Sequence, residues 1–577
     1  LVLRDHQGKV IDRMRKMVDD RGNVDARFQV RKPNLWSPET PYLYTVETGL
    51  FHNGVLIDQR RDHIGIRTIS FSRDGGFRLN GVSRKFKGVC LHHDLGPLGA
   101  AVNKSALIRQ VRILKNMGCD AIRTAHNMPS TMQMDVYDSL GMMVMAESFD
   151  MWIYPKCKNG YSRFFKDWAD KDITNLVLNH RNHPSLVMYS IGNEIPEQGS
   201  ALGVEITKRL QGICHRLDPT RPVTQGLDRA EDALRSGFAQ ALDVPSFNYR
   251  VFKYDKNISQ LPQGFLLGSE TASTVSSRGV YKFPVVFSDH LTYPDGQCSS
   301  YDTQYCSWGN LPDIDFAAQE DKPYTIGQFV WSGFDYLGEP TPYDSYWPSR
   351  SSYFGICDLA GLPKDRYYLY RSVWNKKEHT IHLLPHWTWP GREGLVTPVY
   401  CYTDYDEAEL FVNGRSQGRI KKNPKSVLDR YRLRWNHVIY EPGELKVVVY
   451  DQKGRPAGQE IIHTAGAPDH LVLSPDRDTL STSGEDLSFI TVSMVDRAGN
   501  ECPEDDRELY FRVTGSGKFE AVCNGDATSL ESFKRPQMKL FHGKLVVIVR
   551  GGKIKGVIHL EVTDRKGMDG RLSVYTE

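Results

Sequence analysis

In KSALIRQVRILKNMG (104–118) apolar residues recur at helical spacing, and CDAIRTAH (119–126), directly after it, is a short apolar run of strand type. The same unit repeats further along the chain. TMQMDVYDSLG precedes MMVMAESF, ITNLVLNHRNHP precedes LVMYSIGNE, and ALGVEITKRLQGICHRLD precedes PVTQG. Further strand candidates are DVPSFNYR, GFLLGSE and YTIGQFVWSGF. Helix and strand in repeated alternation imply parallel βα units, and their extent, residues 70–375, predicts a closed (β/α)8 (TIM) barrel with its chemistry at the carboxyl ends of the strands. Outside these bounds the period changes to two. Residues 1–69 read as part of an immunoglobulin-like β-sandwich, with strands expected in ARFQV, LYTVETGLF and GVLIDQRRDHIGIRTISF. Residues 376–465 and 466–577 read as two more sandwiches, the latter immunoglobulin-like, joined through HTAGAPD (463–469). The expected fold class is multidomain α/β plus all-β, a central barrel flanked by sandwiches.

Composition narrows the function. The 73 basic and 70 acidic residues nearly cancel, and no long basic run marks a nucleic-acid surface. No apolar run approaches the roughly 20 residues of a membrane span. Ten cysteines lie scattered without the paired spacing of a zinc site. Cys298 and Cys306 are close enough in sequence to pair across a loop, but free thiols are expected. The 10 Trp, 28 Tyr and 24 Phe suit sugar recognition and large β-rich cores equally well.

Two glutamates stand out. Glu194 closes LVMYSIGNE and Glu270 closes GFLLGSE, so both carboxyls are expected to project into the barrel mouth. Glycoside hydrolysis needs such a pair, one protonated to donate to the leaving oxygen and one ionised; retention of configuration sets them about 5–5.5 Å apart.

RNHPSLVMYSIGNE (181–194) resembles the acid/base signature of family 2 glycoside hydrolases, which include β-galactosidases, β-glucuronidases and β-mannosidases. The likeness continues, in the family's order, through 65–94, MGCDAIRTAHNMPS (117–130), 138–148, RLDPTRPVT (216–224), DVPSFNY (243–249) and WSGFDYLGEPTPY (331–343). It implies Glu194 as acid/base and Glu270 as nucleophile. It also implies Asn193 on the sugar 2-hydroxyl, Tyr249 on the nucleophile, His92 and His126 near the sugar, Trp331 under its ring, and Arg123 holding the nucleophile ionised. Asp94, Asp335 and Glu339 lie at the same rim and are read as solvated loop charges.

The resemblance has departures. The family's amino-terminal jelly roll is not in this chain, so impaired turnover is the expected cost, and a carbohydrate-binding protein without catalysis is the competing class. Some members bind magnesium through a Glu and a His after the third strand. MAESFDMWIYP offers no such pair, so neither a catalytic metal nor a cofactor is expected. Asn375-Lys376-Lys377 formally fits the Asn-X-Lys pattern of glucuronidases but follows the last barrel helix, while 338–365 looks β-galactosidase-like. The expected ligand is therefore an oligosaccharide or polysaccharide fragment, cut by a β-galactosidase. A periplasmic or secreted location follows from the family, and self-association is compatible with it.

Overall fold

The computed structural model describes residues 1–346 and 350–577. Eight parallel strands close into a barrel: β1 (Phe86–Leu91), β2 (Ala121–Thr124), β3 (Met143–Glu147), β4 (Leu186–Asn193), β5 (Val223–Leu227), β6 (Val244–Asn248), β7 (Leu266–Ala272) and β8 (Thr325–Trp331). β8 pairs with β1 in parallel register, Gly327 opposite Phe86, which completes the ring. Every residue of β3, β4 and β7 is buried. A strand walled by helices outside and side chains inside has no polar face to show, which is why these strands read as continuous apolar runs.

The helices between them are bounded as their sequences dictate. Asn103 caps Lys104–Met117 by accepting from the Ala106 amide, and Gly118 ends it in the left-handed region. Ser130 and Ser200 cap Thr131–Leu140 and Ala201–Leu217 in the same way. Among the described residues no helix is long and apolar enough to cross a membrane.

β-Sheets flank the barrel. Val2–Arg4, Val10–Arg13, Tyr44–His52 and Val55–Ile64 form one four-stranded sheet. The expected strand ARFQV (26–30) is not formed; these residues run without ladder partners. A three-stranded sheet, Ile69–Ser72, Gly76–Leu79 and Val82–Ser83, covers the amino end of the barrel, with the Phe77 ring stacked 4.3 Å from Phe86 at the foot of β1. Beyond the barrel, two sandwiches follow. The first sets three strands (Ile381–Leu384, Val399–Thr403, Leu433–Trp435) against four, and strict alternation in Glu444–Tyr450 buries Leu445, Val447 and Val449. The second sets a four-stranded sheet against a five-stranded one.

Two buried arginines fasten the sandwiches to the barrel. Arg432 reaches Asp313 of the barrel helix Pro312–Asp321, with Nε 2.8 Å from Oδ1. Arg278, in the long loop after β7, pairs with Asp358 at 2.6 Å and donates to the carbonyls of Asn524 and Phe541. All ten cysteines are free, Cys298 and Cys306 included.

Candidate active site

At the carboxyl ends of the strands lies a cavity of about 560 Å³. Its wall is formed by His92 after β1, His126 after β2, Asp150 and Lys156 after β3, and Asn193 and Glu194 at the end of β4. Asp228 follows β5, Asn248 ends β6 with Tyr249 and Arg250 after it, Glu270 lies in β7, and Trp331 ends β8. Loop residues Trp308 and Glu339 complete it. The two glutamates, 76 positions apart in the sequence, thus share one cavity. β7 continues two residues past Glu270, to Ala272, so this carboxylate leaves the barrel wall from within the strand rather than from its end.

The two carboxyls are held differently. Glu270 accepts from Arg123 Nη1 at 2.6 Å and from the Tyr249 hydroxyl at 2.7 Å, so one oxygen meets a full positive charge and the other a neutral donor. Arg123 is itself completely buried on β2 and forks onto Glu147 as well, with Nε 2.9 Å from Oε2 and Nη2 3.0 Å from Oε1. Glu194 accepts a hydrogen bond from Asn248 Nδ2 at 2.8 Å and, among the described residues, joins no ion pair. Burial of its carboxyl, then the charge of Glu270, push its pKa up to about 7; Asp228 adds to the rise, while Lys156 and the Asn248 bond oppose it.

Asn193 is fixed at both ends of its amide. Oδ1 accepts from Arg123 Nη2 at 2.8 Å and from Asn248 Nδ2 at 3.0 Å, while Nδ2 donates to Asp150 at 3.0 Å. This close approach depends on Gly226 of β5. A Cβ there would lie 2.7 Å from Asn248 Oδ1 and 2.8 Å from Asn193 Oδ1. His126 places Nδ1 2.6 Å from Glu147, and its ring lies parallel to Trp331, centroids 5.4 Å apart. Burial alone would lower its pKa, but the Glu147 bond and charge outweigh it and the net shift is upward. Among the described residues His92 has no carboxylate partner, and burial, reinforced by the neighbouring His126, lowers it to about 3. Its ring packs 4.2 Å from that of Tyr336.

All eight residues expected from the sequence therefore meet at one place. Asn248, Glu147 and Asp150 belong with them and were not anticipated. Asn248 had a legible signal, since it directly precedes Tyr249 at a strand end; Glu147 and Asp150 are visible only through the side chains they hold. Of the three rim acids, Asp335 is not a solvated charge. It is buried and paired with Lys364 at 2.7 Å. Glu339 is exposed at the cavity, accepting from the Tyr336 hydroxyl, and Asp94 accepts from the Gly96 amide. The one trio among the described residues with metal-ligand spacing, Asp135, Asp138 and His183, does not line this cavity.

Residues 72–347 match the TIM barrel domain of glycosyl hydrolases family 2, and residues 3–67 match a further glycosyl hydrolases family 2 domain. Residues 471–571 match the family's C-terminal domain 5, and 394–458 a domain of unknown function. The chain is 39% identical to Beta-galactosidase BoGH2A of Bacteroides ovatus across its whole length, which spans 71% of that relative. A solved family 2 member from Bacteroides cellulosilyticus superposes with TM-score 0.87 at 30% identity, and a β-glycosidase from Bacteroides vulgatus with 0.86 at 31%. Each comparison covers all of this chain and 74% of the other. The chain belongs to glycoside hydrolase family 2 and is a glycosidase.

Proposed function

We propose that the enzyme is a retaining β-galactosidase acting on terminal β-linked residues, with Glu270 as nucleophile and Glu194 as general acid/base. The observation that carries this reading is the opposite treatment of two carboxyls in one cavity: Arg123 and Tyr249 on Glu270, a single amide on Glu194. Glu270, ionised, attacks the anomeric carbon while Glu194, protonated below its pKa of about 7, donates to the departing oxygen. Bond formation removes the Glu270 charge, and with it one cause of the raised Glu194 pKa. Glu194 then accepts a proton from the incoming water, which displaces Glu270. Asn193, its amide oriented by Arg123, Asn248 and Asp150, presents Nδ2 to the sugar 2-hydroxyl, a contact that strengthens as positive charge develops on the ring.

For the sugar itself, similarity to BoGH2A supports a galactoside. The segment 338–365 points the same way in sequence, although residues 347–349 within it lie outside the described residues. Asn375 does not line the cavity. It ends the last barrel helix, donating to the Asn116 carbonyl and accepting from the amides of Lys377 and Glu378, so the Asn375-Lys376-Lys377 run is structural.

A panel of nitrophenyl glycosides tests the assignment, with NMR of the first-formed anomer reading the stereochemistry. Release from the β-galactoside with retention is expected. Glu270→Gln should abolish turnover, and Glu194→Ala should be partly rescued by azide. Inversion, or wild-type activity in either variant, would refute the roles given.

A further inference from the structure

Arg250 is an exposed cation of the cavity wall. Cations near it on this barrel mouth have acidic partners: Arg123 faces Glu147 and Glu270, Lys156 pairs with Asp150 at 2.7 Å, Arg229 lies beside Asp228, and Lys253 and Lys256 share Glu231. Among the described residues Arg250 makes no side-chain hydrogen bond and joins no ion pair, and it is exposed.

Its backbone is equally unusual. Arg250 sits at φ 54° and ψ 38°, directly after Tyr249 at φ 58°, so two consecutive residues with side chains occupy the left-handed region. Each such residue costs on the order of 1–3 kcal/mol and persists only where its surroundings impose it. Here the Tyr249 amide donates to the Glu270 carbonyl at 2.7 Å, and the Lys253 amide to the Arg250 carbonyl at 2.8 Å. The turn that places Arg250 is therefore pinned to the strand that carries the nucleophile.

The order of strands says which part of a substrate this cation meets. Running from β4 to β7, one arc of the rim carries Glu194, Asp228, Asn248, Arg250 and then Glu270; the other arc, through β8, β1, β2 and β3, carries Trp331, His92, His126 and Asp150. Asn193, on β4 where the two arcs meet, is held by Asn248 from the first arc and by Arg123 and Asp150 from the second. A sugar ring packed on Trp331 with its 2-hydroxyl on Asn193 fills that second arc. The group that Glu194 protonates then departs over β5 and β6.

We propose that Arg250 reads an anionic group, a carboxylate or sulfate, on the leaving-group side of the scissile bond, so that the preferred substrate is a galactoside of an acidic saccharide. This deepens the galactosidase reading and rests on it. An unpaired guanidinium offers a planar fork matched to such oxyanions.

The test compares 4-carboxyphenyl and 4-(methoxycarbonyl)phenyl β-galactosides, which differ in charge at the far end of the leaving group. The ratio of their kcat/KM values is measured for the intact chain and for Arg250→Gln. The variant should lower the anion/ester ratio by roughly tenfold, the scale of a charge-assisted hydrogen bond, and Arg250→Lys should lower it less. In the unaltered enzyme, 0.5 M salt should erode the same preference, a readout that needs no variant to fold. A ratio unchanged by both substitution and salt overturns the proposal. A parallel pair, β-galacturonide against β-galactoside, locates the anion: an Arg250→Gln effect confined to this pair would place Arg250 on the glycone and overturn the leaving-group assignment. If neither aryl galactoside is cleaved, the galactosidase reading itself has failed, and the carboxylate/ester comparison is then run on the glycone that is cleaved.

Discussion

Asn248 and Tyr249, neighbours in sequence, hold opposite members of the carboxyl pair: Asn248 donates to Glu194 at 2.8 Å and Tyr249 to Glu270 at 2.7 Å. The chain turns at this point. Asn248 is the last residue of β6 and Tyr249 enters the left-handed region, so side chains that would alternate along a strand are sent to two different partners. One dipeptide thereby couples the orientation of donor and nucleophile.

Asn248→Ala should move the pH profile. Glu194 acts as acid only while protonated, so kcat/KM should fall as pH rises through about 7. The Asn248 hydrogen bond favours the ionised carboxylate. Without it the proton is held more tightly, and the alkaline limb should shift to higher pH. A shift to lower pH, measured with an alkyl galactoside whose leaving group needs the proton, would show that this bond does not act on Glu194.

Tyr249→Phe removes the neutral donor from Glu270 while Arg123 remains. A hydrogen bond to a charged group contributes about 1.5–3 kcal/mol, so kcat should fall roughly 10–100-fold. Steady-state kinetics with Glu194-independent leaving groups checks it, because the loss should persist when the leaving group needs no proton.

Arg123→Met should cost both stability and activity. It strips the counterion from two carboxylates, Glu147 and Glu270, one of them completely buried. Breaking a buried pair from one side destabilises by about 3–5 kcal/mol, which a urea melt or a calorimetric scan will register. Arg123→Lys should recover part of the stability and little of the turnover, since an ammonium cannot fork onto Glu147 while reaching Glu270 and Asn193.

Gly226→Ala should inactivate without touching a charged group. The added methyl would sit under 3 Å from the side-chain oxygens of Asn193 and Asn248, so both amides must shift. At least a tenfold loss of kcat/KM is expected, with circular dichroism showing the fold retained. Wild-type kinetics in this variant would mean that the two asparagines tolerate displacement.

The barrel was legible because its strands are buried on both faces and its helices carry their own caps; period and capping are local properties that a chain displays before it folds. The strand wrongly expected at ARFQV shows the complement. Alternation allows a strand, but a ladder partner must be present to make one. That the eight candidate residues come together was foreseeable because barrel chemistry is confined to strand ends and because ordered motifs around Glu194 and Glu270 resemble a known family. Asp335 was misread because a carboxyl at a loop position looks solvated until the burial of Lys364 beside it is known. What only the tertiary structure decided is electrostatic. Whether a glutamate is ionised depends on which donors and charges face it across the barrel. Arg123 lies 147 positions from Glu270 and Asn248 lies 54 from Glu194, distances that no local pattern spans. The sequence by itself determined the scaffold and the cast of side chains; their protonation states arise only when strand closure brings them within hydrogen-bonding reach.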